Sequence, residues 1–217
     1  MTLHRKNVTT KSIGKGRRSG SLEDDLRKLA TPAAFINALI AAAMVAAVYV
    51  SLVIAPGTIG LLGAGLALIM VAIAVIDGRS FIIPDWLNAA GIVLAVVYAA
   101  VREPETIGQA VALATLRGLA LALVFFSLRY GYAKLRGRQG LGFGDVKLAF
   151  VAGTWLDWMT IPIAIELAAF AAITTYVLRQ LILGQPISAT TRMPFGLFFA
   201  PAIWICWVIE IWWFQLV

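Results

Sequence analysis

Long apolar runs separated by short polar breaks fill the chain from residue 32 to its end. The runs cover residues 32–55, 58–76, 86–101, 109–128, 146–156, 160–180 and 195–216. Most approach or exceed the ~18 apolar residues that carry a helix across a bilayer core. Their apolar residues are continuous rather than confined to one helical face, and the alternating strands of a membrane barrel do not occur. The pattern predicts an all-α polytopic membrane protein with about seven transmembrane helices. The fifth run is too short to cross about 30 Å at 1.5 Å per residue. It is expected to begin near Gly144 and to run on through Trp158 and Met159 toward the sixth. Residues 1–30 break the pattern. They are polar and basic, and predict a cytosolic tail with a helical turn over 21–29, where Ser21 and Asp24 have N-cap spacing. The apolar stretch that follows is late and long and lacks a small-residue cleavage site, unlike a cleaved signal peptide.

Composition sharpens this picture. Of 217 residues, 61% are hydrophobic and 13% charged, whereas a soluble domain is about half apolar and a quarter charged. The net charge of +7 resides in the tail and in particular loops, so it marks orientation rather than a nucleic-acid surface. By the positive-inside rule the basic tail stays in the cytosol. Segments 77–85, 129–145 and 181–194 then lie on the cytosolic side, the second with Arg129, Lys134, Arg136 and Arg138. Segments 56–58, 102–108 and 157–160 face the other side and hold one cation, Arg102, beside Glu103 and Glu105. The basic segment 129–138 is expected to meet anionic lipid, or a glutamate of a substrate. The single cysteine, Cys206, excludes a disulfide framework and a cysteine-rich zinc module, and is expected to be buried. His4 has no neighbours suggesting a metal site.

Charged residues at or inside a span are costly, so they are the candidates for function. Asp77 closes the second run and Asp145 opens the fifth, which puts both at the cytosolic edge if the topology holds. Two close carboxylates do not both ionise cheaply; they share a proton. Such a pair can activate water with one member and protonate a carbonyl or leaving amine with the other. Gly142 and Gly144 allow a strand or helix to approach Asp145 closely. Lys147 would bias the charge of the pair or bind interfacial phosphate. Pro84 is expected to start the third helix and Asp85 to cap it. Arg117 and Glu166, within the fourth and sixth runs, are expected to pair or to snorkel. Glu210 is expected at an interface, and Trp204, Trp207, Trp212 and Trp213 in an aromatic belt and against lipid. Small residues over 60–65 and 110–114 predict close helix packing.

Three ordered stretches resemble a known family. AVIDGRSFIIPDWLN (74–88) carries an aspartate followed by an Ile-Pro-Asp turn. GLGFGDVKL (140–148) carries a GxGD motif with a following Lys, and MPFGLFFAPA (193–202) a Pro-Phe-Gly helix start. Together they resemble the type IV prepilin peptidases and their archaeal preflagellin relatives over about residues 57–217. The resemblance implies that Asp77 and Asp145 are catalytic, with Pro84, Asp85, Gly142, Gly144, Lys147, Pro194, Phe195 and Gly196 as supporting motif residues. It implies hydrolysis of the leader of a prepilin or pseudopilin precursor on the cytosolic side of the bacterial inner membrane, with no metal or organic cofactor and no nucleic acid partner. It also implies a six-helix core (57–217), preceded by an additional N-terminal transmembrane helix (31–56) and the basic tail (1–30). Without a large cysteine-bearing cytosolic domain, the chain resembles the short members associated with tight-adherence pili, and N-methyltransferase activity is not expected. The competing readings are a small transporter or proton-coupled channel and a non-catalytic scaffold of a pilus or secretion system. The oligomeric state stays open.

Overall fold

A computed structural model of the protein describes residues 32–137, 140–183 and 194–216. The basic tail with its expected cap at Ser21, most of segment 181–194, and Arg138 lie outside the described residues. Among these, all regular structure is helical, in seven helices: α1 (Pro32–Ile54), α2 (Thr58–Ser80), α3 (Asp85–Arg102), α4 (Ile107–Arg136), α5 (Phe143–Trp155), α6 (Thr160–Leu183) and α7 (Phe195–Leu216). All but α5 are long and apolar enough to cross a membrane, and the chain is an all-α polytopic membrane protein. It divides into two compact units, Met1–Ala42 and Ala43–Val217. In the first, the described residues form the start of α1, whose side chains are mostly exposed. The second holds the rest of α1 and the other six helices.

Small residues set the helix spacing inside the second unit. Lipid is as apolar as a leucine side chain, so helices in a bilayer associate through close packing. A Cβ on Gly153 would lie 2.6 Å from the Arg117 carbonyl oxygen, and one on Gly118 would lie 2.9 Å from that of Phe150. The α4 and α5 backbones therefore touch. Gly91 of α3 lies against Val151 of α5, and Gly63 of α2 receives the ring of Trp207 from α7. The core between them is filled by Leu66, Met70, Ile73, Leu148, Trp155, Phe199 and Trp207. Trp207 is thus a buried knob rather than a belt residue, and Trp204 donates its indole N–H to Ser51 of α1 at 3.0 Å. Only Trp212 and Trp213 are exposed as expected. Cys206 is buried.

Helix ends differ from the apolar pattern where polar groups find partners. α4 runs two turns past its apolar run and stops at Gly137, whose φ of 65° is the left-handed conformation that ends helices readily at glycine. Arg129, Lys134 and Arg136 are therefore helical, not in a loop. α5 does not continue through Trp158. It ends at Trp155, because Leu156 is extended and the next backbone N–H, on Asp157, is taken by the Glu210 carboxylate at 2.7 Å. Glu210 also accepts the Thr160 hydroxyl and is 3% exposed. It is a buried staple between the α5–α6 turn and α7, not an interfacial residue. Arg117 does not pair with Glu166, which is exposed. Its guanidinium meets Asp157 at 3.3 Å, and Arg102 reaches the same carboxylate at 3.8 Å.

Candidate functional site

The two candidate aspartates, Asp77 and Asp145, lie at the other end of these helices, and each is held by a backbone amide. Asp77 sits one turn before the end of α2, which closes at Phe81 in a left-handed conformation with its N–H on the Asp77 carbonyl, 2.8 Å. The Asp77 side chain reaches the first turn of α7, where the Leu197 N–H donates to Oδ2 at 3.0 Å. A helix start offers unpaired N–H groups and a partial positive charge, so it favours a carboxylate there. Asp145 is in the first turn of α5, and the Gly142 N–H donates to its Oδ2 at 2.9 Å. Both carboxylates are buried, Asp77 at 4% and Asp145 at 9% exposure. Both also cap helix starts, so capping is part of what places them.

Gly196 and Gly144 allow this arrangement. A Cβ at Gly196 would lie 2.9 Å from Asp77 Oδ2 and 2.8 Å from Ile83 Cδ1; one at Gly144 would lie 3.0 Å from Ile83 Cβ. Ile83 is buried and wedges between the two glycine motifs. The close approach at Gly144 is thus made by the chain's own turn between α2 and α3. Phe195 packs on Phe125 of α4 and Phe199 of α7, with ring centroids 6.0 and 5.2 Å away. This aromatic cluster fixes the end of α7 that holds Asp77. Pro194 immediately precedes α7, where a missing N–H costs no helical hydrogen bond.

Asp85 is not a cap. Pro84 occupies the N-cap position of α3, without a side-chain capping bond. Asp85 instead accepts Lys147 Nζ at 2.6 Å, which joins the Ile-Pro-Asp turn to the GxGD helix. Lys147 is partly exposed and Asp85 exposed, so the pair contributes at most about 1 kcal/mol. Lys147 also lies 5.1 Å from the Phe143 ring centroid.

Asp145 lies outside the six long helices. Burial pushes its carboxyl up to about 6; the Gly142 amide opposes this, the Asp77 charge adds to it, and Arg129 opposes it. The two aspartates are therefore near enough to feel each other. Ile83 belongs to the Ile-Pro-Asp turn of the sequence, but its packing against Gly144 and Gly196 is not legible there. Arg129 reads from the sequence as a topology marker, since an arginine at the end of an apolar run carries that signal first. Arg117, Asp157 and Glu210 gather at the opposite end.

The profile of the type IV leader peptidase family matches residues 64–177, which include both aspartates. The prepilin leader peptidase/N-methyltransferase of Aeromonas hydrophila is 32% identical over 162 residues, covering 73% of this chain and 52% of that protein. The protein of the same name from Dickeya chrysanthemi is 33% identical over 126 residues, 58% of this chain and 43% of that one. The leader peptidase HopD of Escherichia coli is 31% identical over 127 residues, 58% of this chain and 78% of that protein. The chain spans about half the length of the prepilin leader peptidase/N-methyltransferases it matches. No solved structure matches it.

Proposed function

The chain belongs to the type IV leader peptidase family, and on that premise we propose that it is a membrane-embedded aspartic endopeptidase that removes the leader of type IV prepilin-like precursors at the cytosolic membrane edge. Asp77 and Asp145 are its catalytic pair, within a membrane core of residues 57–217. The observation that carries this reading is the convergence of two buried carboxylates from different helices, held by backbone N–H groups on either side of Ile83, which packs against both Gly144 and Gly196.

The chemistry follows from that geometry. Neighbouring buried carboxyls share one proton, because ionising both is expensive. A carboxyl raised to about 6, as Asp145 is, holds a proton near neutrality roughly a hundredfold more often than an ordinary aspartic acid. The ionised member takes a proton from water, and the protonated member donates to the scissile carbonyl. The resulting tetrahedral intermediate collapses as the roles reverse and the amine leaves. The titration belongs to the pair rather than to either residue. The amides of Leu197 and Gly142 hold the Oδ2 atoms and so fix the orientation of each carboxyl. A transporter would need polar groups at mid-membrane. Glu166 is exposed and Arg117 is tied to Asp157 at the far end, which favours the peptidase.

The test is co-expression with a prepilin-like precursor from the same organism. Wild type is expected to release the leader. Asp77→Asn and Asp145→Asn, at normal membrane levels, are each expected to reduce the product at least a thousandfold, since neither carboxyl can do the work of both. Cleavage by both variants would refute the catalytic pair. A wild type that processes no pilin-like precursor would refute the substrate class.

A further inference from the structure

We propose that Arg129 is a positioning residue for Asp145, acting on it through a single peptide group. Arg129 projects from α4, where its Nη1 donates to the Leu141 carbonyl oxygen at 2.6 Å. The Gly142 N–H that holds Asp145 Oδ2 at 2.9 Å belongs to the same peptide unit as that carbonyl. A peptide unit is planar, and no cis bond occurs among the described residues, so its C=O and N–H point in opposite directions. The guanidinium therefore grips one side of the plane and the carboxylate accepts from the other. A cation on the carbonyl oxygen pulls electron density from the amide and makes its N–H a stronger donor, as in other hydrogen-bonded chains. It also fixes the rotation of the plane, and with it the direction in which Gly142 aims at Asp145. The inference rests on the reading of Asp145 as half of the catalytic pair, but the relay can be measured without activity.

The surroundings leave this role to Arg129. Asp77 on α2 is the acidic neighbour of Asp145. Lys147, on α5 itself, is engaged by Asp85 of α3. The start of α7 brings Phe195, Gly196 and Leu197, none of them charged. Lys134 and Arg136 lie nearer the end of α4, but Arg129 is the cation that Asp145 feels. The guanidinium also lies 5.9 Å from the Phe143 ring centroid, which restricts it from wandering.

Two measurements test the relay. First, the carboxyl infrared band of Asp145, assigned by its loss in Asp145→Asn, is titrated in purified wild type, Arg129→Gln and Arg129→Lys. Removing the cation favours the neutral acid. The titration is expected to move upward by about half a pH unit or more in Arg129→Gln and to return toward wild type in Arg129→Lys. The pH profile of precursor cleavage is expected to move the same way. Second, hydrogen exchange of the Gly142 amide in wild type is expected to be at least tenfold slower than that of an open loop amide at pH 8, where Asp145 is ionised, and to lose protection at pH 4. A Gly142 amide exchanging like an open loop, or identical titrations in wild type and Arg129→Gln, overturns the proposal. If the wild type cleaves no precursor, the peptidase reading fails, while the infrared and exchange results still decide the relay.

Discussion

A methyl group at position 196 would press on the Asp77 carboxylate and on Ile83 at once. Neither neighbour can retreat easily: one is hydrogen-bonded to Leu197 and the other is wedged against Gly144. Overpacking of this kind costs about 1–3 kcal/mol, and it would fall on the orientation of a carboxyl proposed as catalytic. Gly196→Ala is therefore expected to lower the yield of leader-removed product at least tenfold at normal membrane level. Gly131→Ala is the control. A Cβ there meets nothing within 4 Å, and alanine is the better helix former by up to about 1 kcal/mol, so cleavage should be unchanged. The Asp85–Lys147 pair is a milder case. It is partly exposed, and Lys147→Met is expected to cost less than about 1 kcal/mol in melting free energy.

The helices are joined differently at their two ends. At the far end, the Glu210 carboxylate of α7 accepts from the α5–α6 turn. Glu210→Ala would leave the Asp157 N–H and the Thr160 hydroxyl without that acceptor, at a cost of about 1–3 kcal/mol. Glu210→Gln keeps an acceptor oxygen. The alanine variant is expected to melt earlier in detergent and to be cut faster by protease near residues 156–160, and the glutamine variant to stay close to wild type. Between the ends, Trp207 fills the notch that Gly63 leaves in α2. Gly63→Val would drive α2 from α7, which are the two helices that share Asp77. A fall in both melting temperature and cleavage is the expected result. Equal cleavage would mean that the Asp77–Leu197 bond does not depend on this packing.

For the whole molecule, orientation is the quantity to measure. The charge bias predicts a cytosolic aspartate end, and buried Cys206 gives little background for thiol labelling. Ser80, the last residue of α2, and Glu105, just before α4, are both exposed. In intact cells, a membrane-impermeant maleimide is expected to label Glu105→Cys and to label Ser80→Cys only after lysis. The reverse result would put the aspartates on the outer side and defeat a cytosolic site.

Helix content, membrane class and family were legible in the chain, because they follow from properties that local sequence carries. Continuous apolar runs can only be satisfied in lipid by helices, and the aspartate, GxGD and Pro-Phe-Gly stretches are contiguous. The singling out of Asp77 and Asp145 rests on the same local logic of charge at a span edge. Tertiary structure alone decided the partners. Glu210 became a buried staple, Arg117 joined Asp157 instead of Glu166, Trp207 turned inward, and Asp85 took Lys147 rather than capping α3. Each of these pairings links residues far apart in the chain, and its energy depends on distance and on exclusion from solvent. A linear pattern contains neither quantity. For the same reason the contacts of Arg129 and Ile83 stayed hidden until α4 and the α2–α3 turn were seen against the glycines that flank the two aspartates.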